Sequence, residues 1–166
     1  MRKAFPLLTF LLLLLPCHGN AQTWSAEQQE ILDHVKMCWT AWSETVNAKD
    51  LTPWLEGCQP SEDIQAWSTS GGVLWNLDFQ SREFPEWVKS VRRYWWQTVQ
   101  PLDIKVYDDT ALIWFFATFA VEDTSGTVTR IQQKRFEVMQ RYDGGWHWVG
   151  AMVYPEEVGS SVRVIR

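Results

Sequence analysis

The sequence predicts an α+β domain, with helices in its first half packed on one face of a four-stranded antiparallel sheet. Three observations predict it. Apolar residues recur at helical spacing as far as Gln97, they follow an extended pattern after Pro101, and Asp143-Gly144-Gly145 separates the last two extended stretches as a hairpin turn does. Helices first and strands after is the order of a sheet whose helices are segregated to one side.

Ahead of the domain, Arg2 and Lys3 precede an apolar run, Phe5 to Leu15, then Pro16 and Gly19-Asn20-Ala21. This is the charged, apolar, small-residue order of a secretory signal, with cleavage expected after Ala21. The run is shorter than the roughly 20 apolar residues of a bilayer span, so a retained anchor is the weaker reading. Cys17 follows Pro16 rather than a small residue, unlike a lipoprotein signal. The expected organisation is a signal over residues 1–21, a domain over 22–155 and a patternless tail over 156–166. The expected location is secreted or periplasmic, with no membrane contact once the signal is removed.

The 145 residues left after cleavage suit one domain with a real core. Loss of Arg2 and Lys3 leaves 13 basic against 20 acidic residues, a formal charge of −7. A chain so acidic, with no basic stripe, is not expected to bind nucleic acid. All 12 tryptophans lie after the signal and supply either a heavily packed core or an aromatic-walled cavity.

Thr23 to Asn47 reads as a helix, with Ser25 and Gln28 as its capping box and Ile31, Leu32, Val35, Trp39, Trp42 and Val46 as its apolar face. Asp50 caps a short second helix carrying Leu51, Trp54 and Leu55, tolerates Pro53 in its first turn, and gives Gly57 as its end. Ile64 to Ser68 reads as a short strand and Gly71-Gly72 as a turn or loop. Phe84, Trp87, Val88, Val91, Tyr94 and Trp95 predict a helix over 84–97, stopped by Pro101. Strands follow over 103–107, 110–122, 127–142 and 146–154, with Pro155 ending the last.

The chain turns near Ala48, ten residues after Cys38 and ten before Cys58. In an antiparallel helical pair these cysteines would lie together, and an exported chain favours a Cys38–Cys58 bridge over two separate buried thiols.

The strand from Ala111 to Val121 is apolar on both faces. Ile113, Phe115 and Phe119 lie on one, and Leu112, Trp114 and Phe116 on the other. In the last strand Val149 and Val153 are expected to oppose Trp146, Trp148 and Met152. Helices cover only one face of such a sheet, so a homodimer packed through the outer sheet face is the expected cover for the second.

The stretch from Lys134 through Asp143-Gly144-Gly145-Trp146 to Val149 resembles the long strand, Asp-Gly-x-Trp turn and returning strand of the nuclear-transport-factor-2-like superfamily, and within it of SnoaL-like domains. Tyr107 to Ile113, with Asp108-Asp109-Thr110-Ala111, is similar to the opening of the preceding strand, and Arg82-Glu83-Phe84 matches a third recurring spot. The resemblance spans about residues 24–154. It implies a cone, a curved antiparallel sheet wrapped around the N-terminal helix, with a pocket at the open end and dimerisation through the outer face. Its members include isomerases, dehydratases, cyclases, assembly domains and binding proteins.

Chemistry is thinner. The resemblance implies a Tyr and two Asp for a ketosteroid isomerase, yet the first helix holds no Tyr and the last strand pair no interior Asp. Histidines that many relatives carry along the last strand are replaced by Gly150 and Met152. His34 and His147 lie far apart, with no Cys or carboxylate seen at ligand spacing, so no metal is expected. Nucleophile triads and glycine-rich phosphate loops are absent, and no cofactor is expected.

Strand alternation places Glu137 with Ile131, Gln133, Arg135 and Met139. The resemblance implies that this face points into the cone; the residues alone lean slightly towards a solvated outer face. The expected function is binding of a small apolar or aromatic ligand, with Trp42, Trp75, Tyr94, Arg135 and Glu137 as pocket residues. The alternatives are a cofactor-independent lyase or isomerase with Glu137 or Asp63 as base, and a structural or assembly domain whose pocket is filled by tryptophan.

Overall fold

The computed structural model describes residues 22–68, 74–157 and 162–163. The expected signal and the Gly71-Gly72 turn lie outside them. Helix α1 (Ala26–Ala48) starts at Ser25, whose hydroxyl accepts from the Gln28 N–H while the Gln28 side chain accepts from the Ser25 N–H. It stops where Lys49 turns left-handed, at φ 61°. Helix α2 (Thr52–Cys58) follows after a tight bend, and the Asp50 carboxylate holds its first turn by accepting from the Thr52 N–H and hydroxyl.

Gly57 does not end α2. It lies inside the helix, because a Cβ there would sit 2.8 Å from the Cβ of Ala41, so the missing side chain lets the two helices touch. Gln59, left-handed at φ 49°, is the terminator. The close approach sets Cys38 against Cys58, and the two form a disulfide.

Strand β1 (Pro60–Ser68), strand β2 (Leu74–Trp75), helix α3 (Leu77–Trp87) and a single 3-10 turn over 88–90 lead to the long strands. Here the structure corrects the sequence. The helix expected over 84–97 ends at Trp87, and β3 (Val91–Tyr107) begins four residues later. The cause lies in its bulges, at Val91/Arg93 and Trp96/Thr98. The first lets Val91 and Tyr94, three residues apart, both face inward, so a bulged strand imitates helical spacing. Pro101 stops nothing; it sits beside a further bulge of β3, an edge strand, where a missing N–H is tolerated.

Strands β4 (Thr110–Asp123), β5 (Thr127–Tyr142) and β6 (Gly145–Glu157) complete the meander through turns at Asp108, Gly126 and Asp143-Gly144, all at positive φ. Strand β6 runs through Pro155 rather than ending there, and the expected tail contributes β7 (Val162–Arg163), which pairs with β5. The sheet order is β2-β1-β6-β5-β4-β3, antiparallel except where β1 lies parallel to β6. The sheet is therefore larger than the four-stranded meander expected. It is curved and open, and α1 lies along its concave side, as the α+β cone requires.

The core is α1 against that concave face: Ile31, Leu32, Val35, Trp39 and Val46 pack on Ile104, Ile113, Phe115, Phe119, Met139 and Trp146. In β4 the expected alternation holds. Ala111, Ile113, Phe115, Ala117 and Phe119 are buried, and Leu112, Trp114 and Phe116 on the other face are half-buried. In β6 it does not. A bulge at Val138/Met139 skips Val149 in the pairing, so Trp148 and Ala151 both face inward while Met152 and Tyr154 face out.

An edge strand of 17 residues offers a long row of unpaired backbone groups. Polar residues of α1 and its flanks cover much of this row. Asn47 exchanges two hydrogen bonds with the Tyr94 backbone, Gln28 donates to the Ile104 carbonyl, Ser43 accepts from the Trp96 N–H, and Lys49 donates to the Val88 and Val91 carbonyls.

Candidate functional site

Between α1, α2, α3 and the concave face lies a cavity of about 220 Å³. Ala66 of β1 lines it, and Ala117 and Ala151 lie opposite Gln133 and Glu137 across the sheet. Its walls are aromatic. Trp42 stacks on Trp87 at 6.1 Å and meets Trp54 and Phe84 edge-on at 5.8 Å each, and Trp54 meets Trp148 in the same way. Tyr94 stacks on Phe119 at 5.2 Å. Such edge and offset contacts fix ring positions.

Three polar side chains project from alternate positions of β5 onto this wall: Gln133, Arg135 and Glu137. Arg135 Nε donates to Glu137 Oε1 at 2.8 Å, and its Nη1 donates to Gln133 Oε1 at 2.9 Å. The guanidinium lies 5.1 Å from the Trp39 ring centre and 5.8 Å from that of Trp148, so two aromatic faces share its charge. Glu137 is 5% exposed. Burial pushes its carboxyl above the usual carboxylate range, and the charge and hydrogen bond of Arg135 offset part of that rise. Burial likewise pushes the Tyr94 hydroxyl far above its ordinary value.

Four of the five expected pocket residues, Trp42, Tyr94, Arg135 and Glu137, therefore line one cavity, and the face of Glu137, which the residues alone lean towards placing outside, is the concave one. The fifth, Trp75, pairs its backbone with Ala66 in β2; its side chain lies outside the described residues. Asp63 is exposed on β1, in a shallow surface groove beside His147, and does not share the cavity with Glu137.

Sequence reasoning missed several lining residues. Trp39, Trp54 and Trp148 carried an apolar signal that could not separate core from cavity. Gln80 of α3 carried none: it is 3% exposed, and its Oε1 finds no partner among the described residues.

His147 stands outside the cavity, stacked on Tyr142 at 3.7 Å, with its ring nitrogens 3.0 and 3.2 Å from the Gln59 and Tyr142 carbonyls. His34 corrects a different expectation. It lies one helical turn before Cys38, and a ring nitrogen of His34 and the sulfurs of Cys38 and Cys58 are within 4.8 Å of one another. Burial lowers its pKa, which the nearby Cys58 carbonyl partly offsets.

No helix among the described residues is long and apolar enough to cross a membrane. Among curated proteins none matches the chain. Solved structures do. A conserved protein of Planctomyces limnophilus is 12% identical at TM-score 0.66, covering 80% of this chain and 98% of that one. The S. rosetta CaMKII hub is 14% identical at TM-score 0.61, covering 81% and 100%. A nuclear transport factor 2-like protein of Salmonella enterica is 15% identical at TM-score 0.59, covering 83% and 95%. At such identities the likeness is one of fold, the fold of nuclear-transport-factor-2-like and cystatin-like proteins. A family model matches the chain over residues 27–152. The chain belongs to the calcium/calmodulin dependent protein kinase II association domain family.

Proposed function

We propose that this chain is an exported, self-associating domain that binds a small apolar or aromatic ligand in its cone. The observation that carries the reading is the cavity: about 220 Å³, walled by tryptophan, with one buried Arg135–Glu137 pair on its β5 side. Buried ligand sites are mostly apolar, with few polar groups that fix orientation. The size suits one or two rings. Arg135 and Glu137 would orient a polar substituent while the rings take up the aromatic walls.

Self-association is supported by the family's name and by the S. rosetta hub likeness. It is also supported by the outer sheet face, where Trp114 packs on Phe136 at 4.9 Å and Met152 and Tyr154 are 40% and 45% exposed. The expected state is a dimer through that face. Sedimentation velocity should give twice the chain mass, and Trp114→Glu should give the monomer with its helical spectrum intact; a monomeric wild type would refute the dimer. Export is tested by the N-terminus of the secreted protein, expected at Gln22.

For the ligand, titration calorimetry with indole and naphthalene, against acetate as control, should give heats for the ring compounds alone. Heats from none of them would overturn the reading. Native mass spectrometry of the exported protein would reveal a retained molecule.

The lyase or isomerase reading keeps one supporting observation. A carboxyl held above its ordinary range in an apolar chamber is poised as a general base. Glu137→Gln separates the two: it should abolish turnover of any substrate found while leaving affinity for indole largely intact.

A further inference from the structure

We propose that His34, Cys38 and Cys58 form a redox-gated site for a soft metal ion, closed while the two sulfurs are bonded and open to Zn²⁺ or Cu⁺ once they are reduced. The placement comes from the two helices. His34 and Cys38 stand one turn apart on one face of α1, where i and i+4 side chains are neighbours. Helix α2 delivers Cys58 from the other side, because Gly57 lets it rest directly on Ala41.

A second observation points to a ligand. The His34 ring lies against the Cys58 carbonyl, and its buried Nε2 has no hydrogen-bond partner among the described residues. Leaving a buried polar atom unpaired is costly, and such an atom calls for an explanation, of which a bound ion is one. A metal held by that nitrogen and two thiolates would satisfy it.

The geometry needs small movements only. The two sulfurs are bonded and lie within 4.8 Å of a His34 ring nitrogen. In a tetrahedral site with Zn–S bonds of about 2.3 Å they would stand about 3.8 Å apart, within reach of side-chain rotation. Two thiolates and an imidazole select soft ions such as Zn²⁺ and Cu⁺ over hard Ca²⁺ or Mg²⁺. No fourth His, Cys, Asp or Glu joins the group among the described residues. Cu⁺ would be three-coordinate, and Zn²⁺ would take a water in the fourth position. Both cysteines also line the aromatic cavity, so that position adjoins it.

The gating step balances. A dithiol reductant gives two electrons and two protons to the bridge and is itself oxidised to a disulfide. The two cysteine thiols then lose two protons as the metal binds.

The test uses the mature chain, oxidised or reduced with a phosphine, loaded with Zn²⁺, Cu⁺ or Ca²⁺ and desalted without oxygen. Metal per chain is read by mass spectrometry, and near-ultraviolet tryptophan ellipticity reports the fold. The reduced chain should retain one equivalent of Zn²⁺ or Cu⁺ and no Ca²⁺, the oxidised chain should retain none, and Co²⁺ should give thiolate charge-transfer absorption. His34→Ala should weaken retention at least tenfold without changing the ellipticity of the oxidised protein. Equal retention by the oxidised chain, no retention by a reduced chain of native ellipticity, or undiminished retention by His34→Ala would each overturn the site. So would a reduced chain whose ellipticity is lost and not restored by metal.

Discussion

Arg135 and Glu137, two residues apart on one strand, meet at 2.8 Å inside a chamber whose other walls are largely aromatic. Burial and pairing oppose each other at Glu137, and burial is the larger cause, so its folded pKa lies above the ordinary 4.5. A raised folded value means that the folded chain holds the proton to higher pH than the unfolded chain. The contribution to stability is full below 4.5 and is lost as pH rises through the folded value. Glu137→Gln has no such titration. The melting temperature of wild type minus that of Glu137→Gln should therefore fall as pH rises above 4.5, followed by calorimetry at matched salt. A difference that grows over this range would mean that Arg135 outweighs burial.

The contact of Gly57 with Ala41 gives a second expectation. A Cβ at position 57 would lie 2.8 Å from the Ala41 Cβ, a methyl carbon fixed directly to its backbone, with no flexible side chain to yield. Alanine in a helix is ordinarily better than glycine by about 1 kcal/mol. Here Gly57→Ala should instead destabilise by about 1–3 kcal/mol in urea unfolding, because α2 must move off α1. Ala41→Gly in the same chain should recover part of the loss, and additive effects of the two changes would contradict the contact.

The covering of β3 by α1 predicts a different kind of failure. Asn47 accepts from the Tyr94 N–H at 2.8 Å and donates to its carbonyl at 2.7 Å. Asn47→Ala leaves both groups of an edge strand unpaired. Stability should drop by about 1–2 kcal/mol. Light scattering on warming should begin earlier than that drop alone explains, since a bared edge invites strand addition. Asn47→Asp, which keeps an acceptor and loses the donor, should fall between.

Much of this was legible in the sequence, for reasons that differ by element. The capping box of α1, the hairpin at Asp143-Gly144 and the alternation of β4 are local, and local chemistry decided them. The bridge was legible because a turn near Ala48 makes the two cysteines equidistant. Residues 91–97 were misread because a bulge spaces Val91 and Tyr94 as a helix would. The parallel pairing of β1 with β6 was invisible, since it joins segments about 85 residues apart with no shared pattern. At the site, alternation put Arg135 and Glu137 on one face, and only the family resemblance turned that face into the cone. Gln80 was missed because one polar residue in an aperiodic stretch carries no sign of where a tertiary wall will stand. His34 beside Cys38 was overlooked because its third partner arrives from another helix.

The bridge also yields a quantitative expectation. Cys38 and Cys58 close a loop of 20 residues, and cross-linking such a loop stabilises by about 3 kcal/mol through the entropy removed from the unfolded chain. Alanine is the right replacement at Cys58, which is 1% exposed, because serine would bury a hydroxyl without a partner. Cys38→Ala/Cys58→Ala should therefore unfold about 10 °C below wild type. Either single substitution breaks the same bond, so each alone should cost nearly as much as the pair, and the effects should be strongly non-additive. Wild type with a phosphine reductant, in metal-free buffer, should fall to the level of the double variant. Two single losses that simply add, with no response of wild type to reductant, would mean that the helices are held together by packing and not by the bond.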